Sequence, residues 1–455
     1  MVDEKSGSPK AEAGDFALKK LDHELRQNLL PYQARRWVLA FSGGLDSQVL
    51  LHALTRLRLA DQILAIHVNH QIHPDADQWQ IHCQKQCDLL GLEIKIERIN
   101  LPKCNKESLE QAARRLRYQA IAKHLDKNSI LITAHHLDDQ AETFLLRLLR
   151  GTGVRGLGAI APARQVEGTT RVRPLLKVSR QEIKAYAEQN SLVWIEDPSN
   201  DDQTIRRNYL RKEIFPAISK YWPSASKTLE ACAEHMRESQ ELLDELAKID
   251  WQAIKHAQHN RVLLVKLEKL SARRQKNCLR WWLDNLQALA PPALALQEFL
   301  KQIETSVNQD ALSLRWGKNE FRVFQGAIVF RAEGFNYTAY SEKEFNFSEY
   351  CQVNELLSLS CKATHGLGIR VPKPSEKVKI LFRQGGESCR LSKNKPRKTL
   401  KDLFQHFEIP AWLRSGWPLI YYDDKLVGAA GLWVAEEFLP READASYFIE
   451  AKLNF

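Results

Sequence analysis

Apolar and polar residues alternate along this chain with two different periods. Trp37-Val-Leu-Ala-Phe41 is an apolar run of the length of one buried strand, and Gly43-Gly44 breaks it. From Ser47 the sequence Ser-Gln-Val-Leu-Leu-His-Ala-Leu spaces its apolar residues as a helix does. Further strands are predicted at 63–70 (ILAIHVNH), 92–101 (LEIKIERINL) and 129–136 (SILITAHH), separated by helical stretches around 74–90 and 107–126. Strands alternating with helices predict an α/β fold with a doubly wound parallel sheet, whose ligands sit beyond the carboxyl ends of its strands. Residues 42–47, 68–70 and 135–139 all fall at such ends. A second α/β stretch, RPLLKVSRQEIKAYAEQNSLVWIEDPSN, closes this domain near residue 220.

Between 224 and 305 the pattern turns helical, with apolar residues at 229, 232, 236, 242, 243 and 246 and the pair Trp281-Trp282, ending at Pro291-Pro292 or soon after. FRVFQGAIVF (321–330) predicts a hairpin turning at Gln325-Gly326. Residues 332–348 show no clear period and read as linker, and from Pro372 short strands such as KVKILF and PLIYYDDKLVGAAGLWV predict a small mixed α/β module. The expected division is a disordered lead over 1–20, an α/β domain over 21–222, a mainly helical domain over 223–331, a linker over 332–371 and a C-terminal domain over 372–455.

At 455 residues the chain is too long for one core. Its net charge of +10 favours a polyanionic partner. Eight cysteines without a CxxC pair point away from zinc and redox pairs and towards a reducing compartment. The N-terminus lacks an apolar signal core, and no apolar run approaches the ~20 residues of a membrane span.

A strand, a glycine turn and a helix N-terminus together make an anion site, because free backbone N–H groups and the helix dipole converge there. The phosphate loop GxxxxGK[ST] is absent; instead Asp46 lies inside SGGLDS (42–47). A carboxylate beside phosphates makes sense with a bridging Mg²⁺. In AHHLDDQAETFLLRLLRGTGVRGL, Asp138 and Asp139 open a helix on which Glu142 shares a face with either, and three acids within five residues favour metal or substrate binding. GTGVRG (151–156) follows a helix where a dinucleotide fingerprint must follow a strand, so Gly151 is read as a helix C-cap. His67, His70, His73 and His82 lie on elements that give no reason to converge on a metal. Arg114 with Arg117, and Arg207 with Arg211, share helical faces suited to pairing with phosphates. RLSKNKPRKTLK carries Arg390, Lys393, Lys395, Arg397, Lys398 and Lys401 without an acid, with Trp412 and Trp417 downstream, and favours a nucleic-acid backbone.

SGGLDS matches the SGGxDS signature of the PP-loop ATP pyrophosphatases, which cut ATP between its α- and β-phosphates. FSGGLDSQVLLH, ESLEQAARRLRYQA, the acidic helix with its GTGVRGL tail, and RRNYLRKEIFP occur in the order seen in the tRNA(Ile)-lysidine synthetase family. RQGGESCRL, TLKDLFQHFEIPAWLR and PLIYYDDKLVGAAGLWV resemble the C-terminal domain of its long bacterial form. The resemblance covers about 35–220 and 375–440 well, and the helical middle by position only. It implies an adenine-nucleotide α-hydrolase-like first domain and a cytoplasmic ligase using ATP and Mg²⁺. The reaction implied is joining L-lysine to C2 of the wobble cytidine in the CAU anticodon of tRNA(Ile), through an adenylated cytidine.

Carried over by position, the resemblance implies that Ser42, Gly43, Gly44, Leu45, Asp46 and Ser47 hold ATP, with Asp46 on Mg²⁺. Asp139 and Glu142 would handle lysine, while Arg114 or Arg115, and Arg206 or Arg207, would lie near ATP, cytidine or the developing charge; Arg114 and Arg207 are the preferred matches. Two rival readings are a PP-loop tRNA 2-thiolation enzyme, for which Cys83, Cys87 and Cys104 have the wrong spacing, and a non-catalytic RNA-binding protein with a vestigial loop. The oligomeric state stays open, a homodimer included.

Overall fold

A computed structural model of the chain describes residues 9–453 except 58–62, 72, 101–108, 167, 257–259, 308, 310–311, 333–342, 348–349, 355–356 and 410. The chain divides into two compact units, Met1–Leu242 and Leu243–Phe455.

The first unit opens with α1 (Pro9–Leu29), which begins inside the stretch expected to be a disordered lead. Leu21, Leu25 and Leu29 recur at helical spacing and are fully buried, and Lys20 pairs with Glu182 at 2.8 Å. The surrounding lysines, acids and alanines conceal this stripe in the sequence. There follow β1 (Arg36–Ala40), α2 (Leu45–Leu57), β2 (Ile63–Asn69), α3 (Ala76–Leu90), β3 (Glu93–Arg98), α4 (Leu109–Ala122), β4 (Ser129–Ile132), α5 (Leu137–Leu148) and the single turn α6 (Val154–Leu157). A hairpin of β5 (Ala163–Val166) and β6 (Thr169–Val172), absent from the expected elements, precedes α7 (Arg180–Gln189). Next come α8 (Arg206–Tyr209), a π-helical turn (Leu210–Ile214), α9 (Phe215–Tyr221) and α10 (Ala225–Ile254).

The sheet runs β3-β2-β1-β4-β6-β5, parallel except for the antiparallel edge strand β5. Alternation of side chains divides its strands between two cores. Trp37, Leu39, Ile130 and Ile132 face one core with the buried residues of α1, α2 and α7, while Val38, Leu64, Ile66 and Leu131 face Ile121 and Tyr118 of α4. Helices on both faces leave the carboxyl ends of β1 and β4 as the place where loops gather.

The first unit extends past the expected boundary at 222, because the start of α10 belongs to it. Ala233 is buried with Phe144 and Ala159, and Arg237 donates to the Gly158 carbonyl.

In the second unit, helices Leu264–Leu267, Ala272–Asn285 and Ala293–Thr305 enclose Trp282 and Phe299 with Phe321 and Ile328. Pro291-Pro292 does not end the helical pattern: Pro292 is the N-cap of the last helix. The hairpin Asn319–Phe324 with Ala327–Ala332 turns at Gln325 and Gly326, both with positive φ, as a two-residue turn between twisted strands requires. The expected linker over 332–371 is corrected for its described part. Tyr350–Asn354 and Leu357–His365 are paired strands, and the second lies along the whole of Ala445–Leu453. Local pattern could not reveal a partner strand so far away in sequence. A second antiparallel sheet includes Val378–Leu381, Leu419–Tyr422 and Lys425–Ala429, with helix Leu400–His406 contributing Leu403 and Phe404 to the core.

Candidate active site

The loop after β1 is built around one glycine. Gly43 has φ +80°, its carbonyl accepts from the Ile195 N–H at 2.9 Å, and a Cβ there would lie 2.5 Å from Ile195 Cδ1 and 2.7 Å from Cys83 Sγ. Gly44, by contrast, meets only ordinary contacts. The Ser42 and Ser47 hydroxyls are 3.0 Å apart, and Ser47 Oγ donates to the Gly44 carbonyl. Leu45 opens α2, so Asp46 stands in its first turn. The anion site expected of Ser42 to Ser47 is thus present as a strand, turn and helix N-terminus.

Asp46 leads to the second constellation. His136, at the N-cap of α5, is buried with Nε2 3.6 Å from both Asp46 Oδ2 and Asp139 Oδ2, and Nδ1 3.6 Å from Asp138 Oδ2. Burial lowers its pKa, but Asp139, Asp138 and Asp46 outweigh that and hold it up at about 9. The three carboxylates around His136 thus favour its protonated form. Burial raises the pKa of Asp46, His136 opposing and Asp139 adding to the rise. For Asp139 burial acts upward too, but His136 and Arg207 hold it at about 2. Asp46 Oδ1 is buried and has no hydrogen-bond partner among the described residues.

Glu142, one turn along α5, is 1 % exposed and fully engaged. Arg207 Nε donates to its Oε2 at 2.6 Å; Arg211 donates from Nε to Oε1 at 2.7 Å and from a terminal nitrogen to Oε2 at 3.1 Å. Arg207 also reaches Asp139 Oδ1 at 3.1 Å. The π turn after α8 carries Arg211 onto the same carboxylate as Arg207. Arg206 is exposed, so Arg207 is the member of that pair in the cluster.

Arg114 takes another place. It is exposed on α4 with its guanidinium 5.4 Å from the centre of the Tyr118 ring, while Arg115 bonds along the helix to Gln119. Its charge still bears on His135, which burial lowers to about 3, Asp139 opposing and Arg173, Arg207 and Arg114 adding to the fall. His136 carries no role in the sequence reading, although HHLDD is its available signal; Asp138 enters there only as one of three acids, and Arg211 as a phosphate partner rather than a partner of Glu142. Asp138 fixes the approach of α7 by accepting the Arg180 N–H at 2.8 Å.

Among the described residues no group of three or more His, Cys, Asp or Glu side chains could hold a metal unaided. The described cysteines are free, and burial pushes the thiols of Cys83 and Cys87 up, the latter to about 12. Cys104 lies outside the described residues.

In the second unit, Arg390 to Thr399 forms a hairpin and Lys401 stands in the first turn of helix Leu400–His406, so the stretch is not disordered chain. Strand Ser388–Cys389 pairs with Lys398–Thr399, the Arg390 carbonyl accepts from Glu436 N–H, and Thr399 caps the following helix. Arg390, Lys393, Lys395, Arg397, Lys398 and Lys401 are all exposed. Trp417 is core, its Nε1 donating to the Ala430 carbonyl.

Residues 17–218 match the family profile of the PP-loop domain, so fold and site define a PP-loop protein that uses ATP. Residues 264–329 match the TilS substrate binding domain and 378–450 the TilS substrate C-terminal domain. The chain is similar to tRNA(Ile)-lysidine synthase of Coxiella burnetii, 34 % identical over 417 residues, covering 91 % of this chain and 92 % of that protein. Its identity to the same-named proteins of Pseudomonas aeruginosa and Pseudomonas syringae pv. tomato is 37 % over 425 residues and 38 % over 427, covering 90 % of this chain in each case and 93 % and 92 % of those proteins. The chain belongs to the tRNA(Ile)-lysidine synthase family. No helix among the described residues is long and apolar enough to cross a membrane.

Proposed function

We propose that this protein ligates L-lysine to C2 of the wobble cytidine of a CAU-anticodon tRNA(Ile) in the cytoplasm, converting ATP to AMP and pyrophosphate. The observation that carries the reading is the single chain of contacts from the glycine loop through Asp46, His136 and Asp139 to Glu142, Arg207 and Arg211. It joins an anion site to a set of acids in a member of this family.

The C2 oxygen of cytosine is a poor leaving group. Attack of that oxygen on the α-phosphorus of ATP releases pyrophosphate and leaves an O-adenylated base. The lysine ε-amine then forms a bond to C2 while the C–O bond breaks, and AMP departs with the oxygen. Ser42 to Ser47 bind the nucleotide through backbone N–H groups and hydroxyls, and Arg207 is assigned to the negative charge that develops on the departing AMP phosphate. Mg²⁺ fits the site on this chain's own evidence. The orphaned, buried Asp46 Oδ1 is a free oxygen ligand in the first turn of α2, and Mg²⁺ takes one or two carboxylates together with phosphate oxygens. Asp46 would hold the ion, which neutralises phosphate charge when bound.

At pH 7 an amine of pKa ~10.4 is neutral in about one molecule in 2,500, a deficit of ~4.6 kcal/mol. A carboxylate that binds the ammonium and accepts its proton reduces that deficit. Asp139 accepts one hydrogen bond on each oxygen, from Arg207 and the His136 backbone N–H, and at 15 % side-chain exposure against 1 % for Glu142 it is the acid that keeps an open side for the ammonium. Glu142, with both oxygens occupied, sets the positions of Arg207 and Arg211, and acts on the second step through the charge they supply to the departing AMP. The basic stretch at Arg390 to Lys401 binds tRNA backbone.

The test is incubation of the protein with labelled lysine, ATP and a CAU-anticodon isoleucine tRNA. Label should enter the tRNA with stoichiometric AMP and pyrophosphate; absence of transfer with all three present overturns the reading.

A further inference from the structure

The hairpin β5–β6 pairs Arg164 directly opposite Arg171. Like charges at opposed positions of an antiparallel pair repel, so this arrangement works against the fold that contains it. Arg171 lies over the ring of Tyr118 of α4 at 3.8 Å, and Arg114 lies 5.4 Å from the same ring. Arg173, two residues beyond Arg171, emerges on the same face of the strand. It is 7 % exposed; one terminal nitrogen donates to the Ala161 carbonyl at 2.6 Å, and its Nε is buried without a partner among the described residues. Burial lowers the Arg173 pKa to about 10, with Arg171, Arg164 and Arg114 adding to the fall. Arginines from α4 and β6 thus converge on one aromatic ring, and Arg164 of β5 stands opposite one of them. The place is also informative: the Thr133 N–H bonds to the Val172 carbonyl, so Arg173 stands beside the end of β4, where its charge bears on His135.

We propose that this arginine face between α4 and the β5–β6 hairpin binds backbone phosphates of the RNA strand flanking the nucleotide in the active site. The proposal rests on the tRNA reading given above. Guanidiniums pair with phosphate oxygens in a fixed fork geometry, and Arg164 and Arg114 present theirs to solvent, with the buried Arg173 adding positive charge behind them. The triphosphate of ATP is a poorer occupant. It belongs to the loop after β1, and β6 is two strands away, about 9–10 Å at ordinary strand spacing. An RNA strand whose base enters at the end of β4 passes this face on its way out.

The test uses the full chain, an isoleucine tRNA transcript with a CAU anticodon, and the variants Arg164→Ala and Arg164→Lys. Arg164 is exposed at the sheet edge, so its truncation leaves the core intact and relieves the repulsion of Arg171. Arg164→Ala should keep or raise the melting temperature, weaken tRNA binding about three- to tenfold, and reduce the slope of log K against log salt by about 0.7–0.9, the value of one phosphate contact. Arg164→Lys should restore most of both, and the KM for ATP should not change in either variant. Unchanged affinity and slope in a folded Arg164→Ala protein overturns the proposal. So does a raised KM for ATP with intact tRNA binding, which would assign the face to the nucleotide. Lysine transfer by the wild-type protein is scored separately: its absence with the slope change present would sink the ligase reading and leave this face an RNA site.

Discussion

Gly43 concentrates the backbone constraint of the site. With φ +80° and a would-be Cβ 2.5 Å from Ile195 Cδ1, Gly43→Ala should destabilise the protein by about 1–3 kcal/mol and weaken ATP binding. Urea denaturation with an unchanged midpoint would show that the loop relaxes instead. Asp46→Asn removes the orphaned oxygen's charge without touching the core. It should abolish adenylation and leave tRNA binding nearly intact; normal pyrophosphate release would refute the metal-ligand role. Asp139→Asn and Glu142→Gln should both impair lysine attack more than adenylation. Losing one charge-assisted hydrogen bond costs ~1.5–3 kcal/mol, roughly 10- to 150-fold in lysine affinity for Asp139→Asn. Adenylated tRNA should accumulate, and higher pH should partly restore turnover by supplying neutral amine. Glu142→Gln should also lower stability by about 1–3 kcal/mol, since two guanidiniums lose their counter-charge. Single-turnover release of pyrophosphate and AMP across a lysine titration at two pH values separates the steps; equal loss in both would exclude a lysine site.

Among elements, the basic hairpin shows how a short sequence becomes a surface. Pairing of Ser388–Cys389 with Lys398–Thr399 anchors both ends of the loop and leaves its cations in solvent. Charge reversal at Lys393, Lys395, Arg397 and Lys398 should weaken tRNA binding and flatten its salt dependence, each lost phosphate contact removing about 0.7–0.9 from the log–log slope. An unchanged slope would make the loop merely solvated. A second element, the segment leading into strand Val378–Leu381, is fastened by Arg370, which donates to Glu376 at 2.6 and 2.8 Å while its carbonyl accepts the Tyr422 hydroxyl. Arg370 hydrogen bonding holds the Glu376 pKa down from the ordinary 4.5 to about 2. A depressed acid stabilises the fold above its unfolded value and loses that contribution as pH falls towards the folded one. The stability advantage of the wild type over Glu376→Gln should therefore shrink between pH 4.5 and pH 2; a difference independent of pH in denaturant titrations would contradict the pairing.

At the scale of the whole molecule, a net charge of +10 acts before any contact forms. Association with tRNA should be electrostatically steered, its rate constant falling steeply with ionic strength while lysine and ATP binding by the same protein respond less. Stopped-flow binding at several salt concentrations checks this, and a flat association rate would mean that the cations act only in local contacts. The division into Met1–Leu242 and Leu243–Phe455 assigns the nucleotide loop and acidic helix to one unit and the basic hairpin to the other.

Strong local signals determined much of this protein from the sequence alone. The apolar run 37–41, the glycine break and the helical period after it define the anion loop, and alternating elements up to 136 define the parallel sheet, because burial of one strand or helix face leaves its period in the chain. Gln325-Gly326 fixed its hairpin, since a two-residue turn demands positive φ. What remained hidden depended on partners distant in sequence. The helix at 9–29 draws its stability from packing against α7, and the strand at 357–365 pairs with 445–453. Asp138 and Asp139 lie beside His136 in the sequence, but only folding buries the imidazole and brings Asp46 to it as a third carboxylate. Arg207 and Arg211 showed the right spacing in the sequence, but only the tertiary structure decided that Glu142 is the carboxylate they share, because charge pairing is set by distance in space and burial, and neither is written in local order.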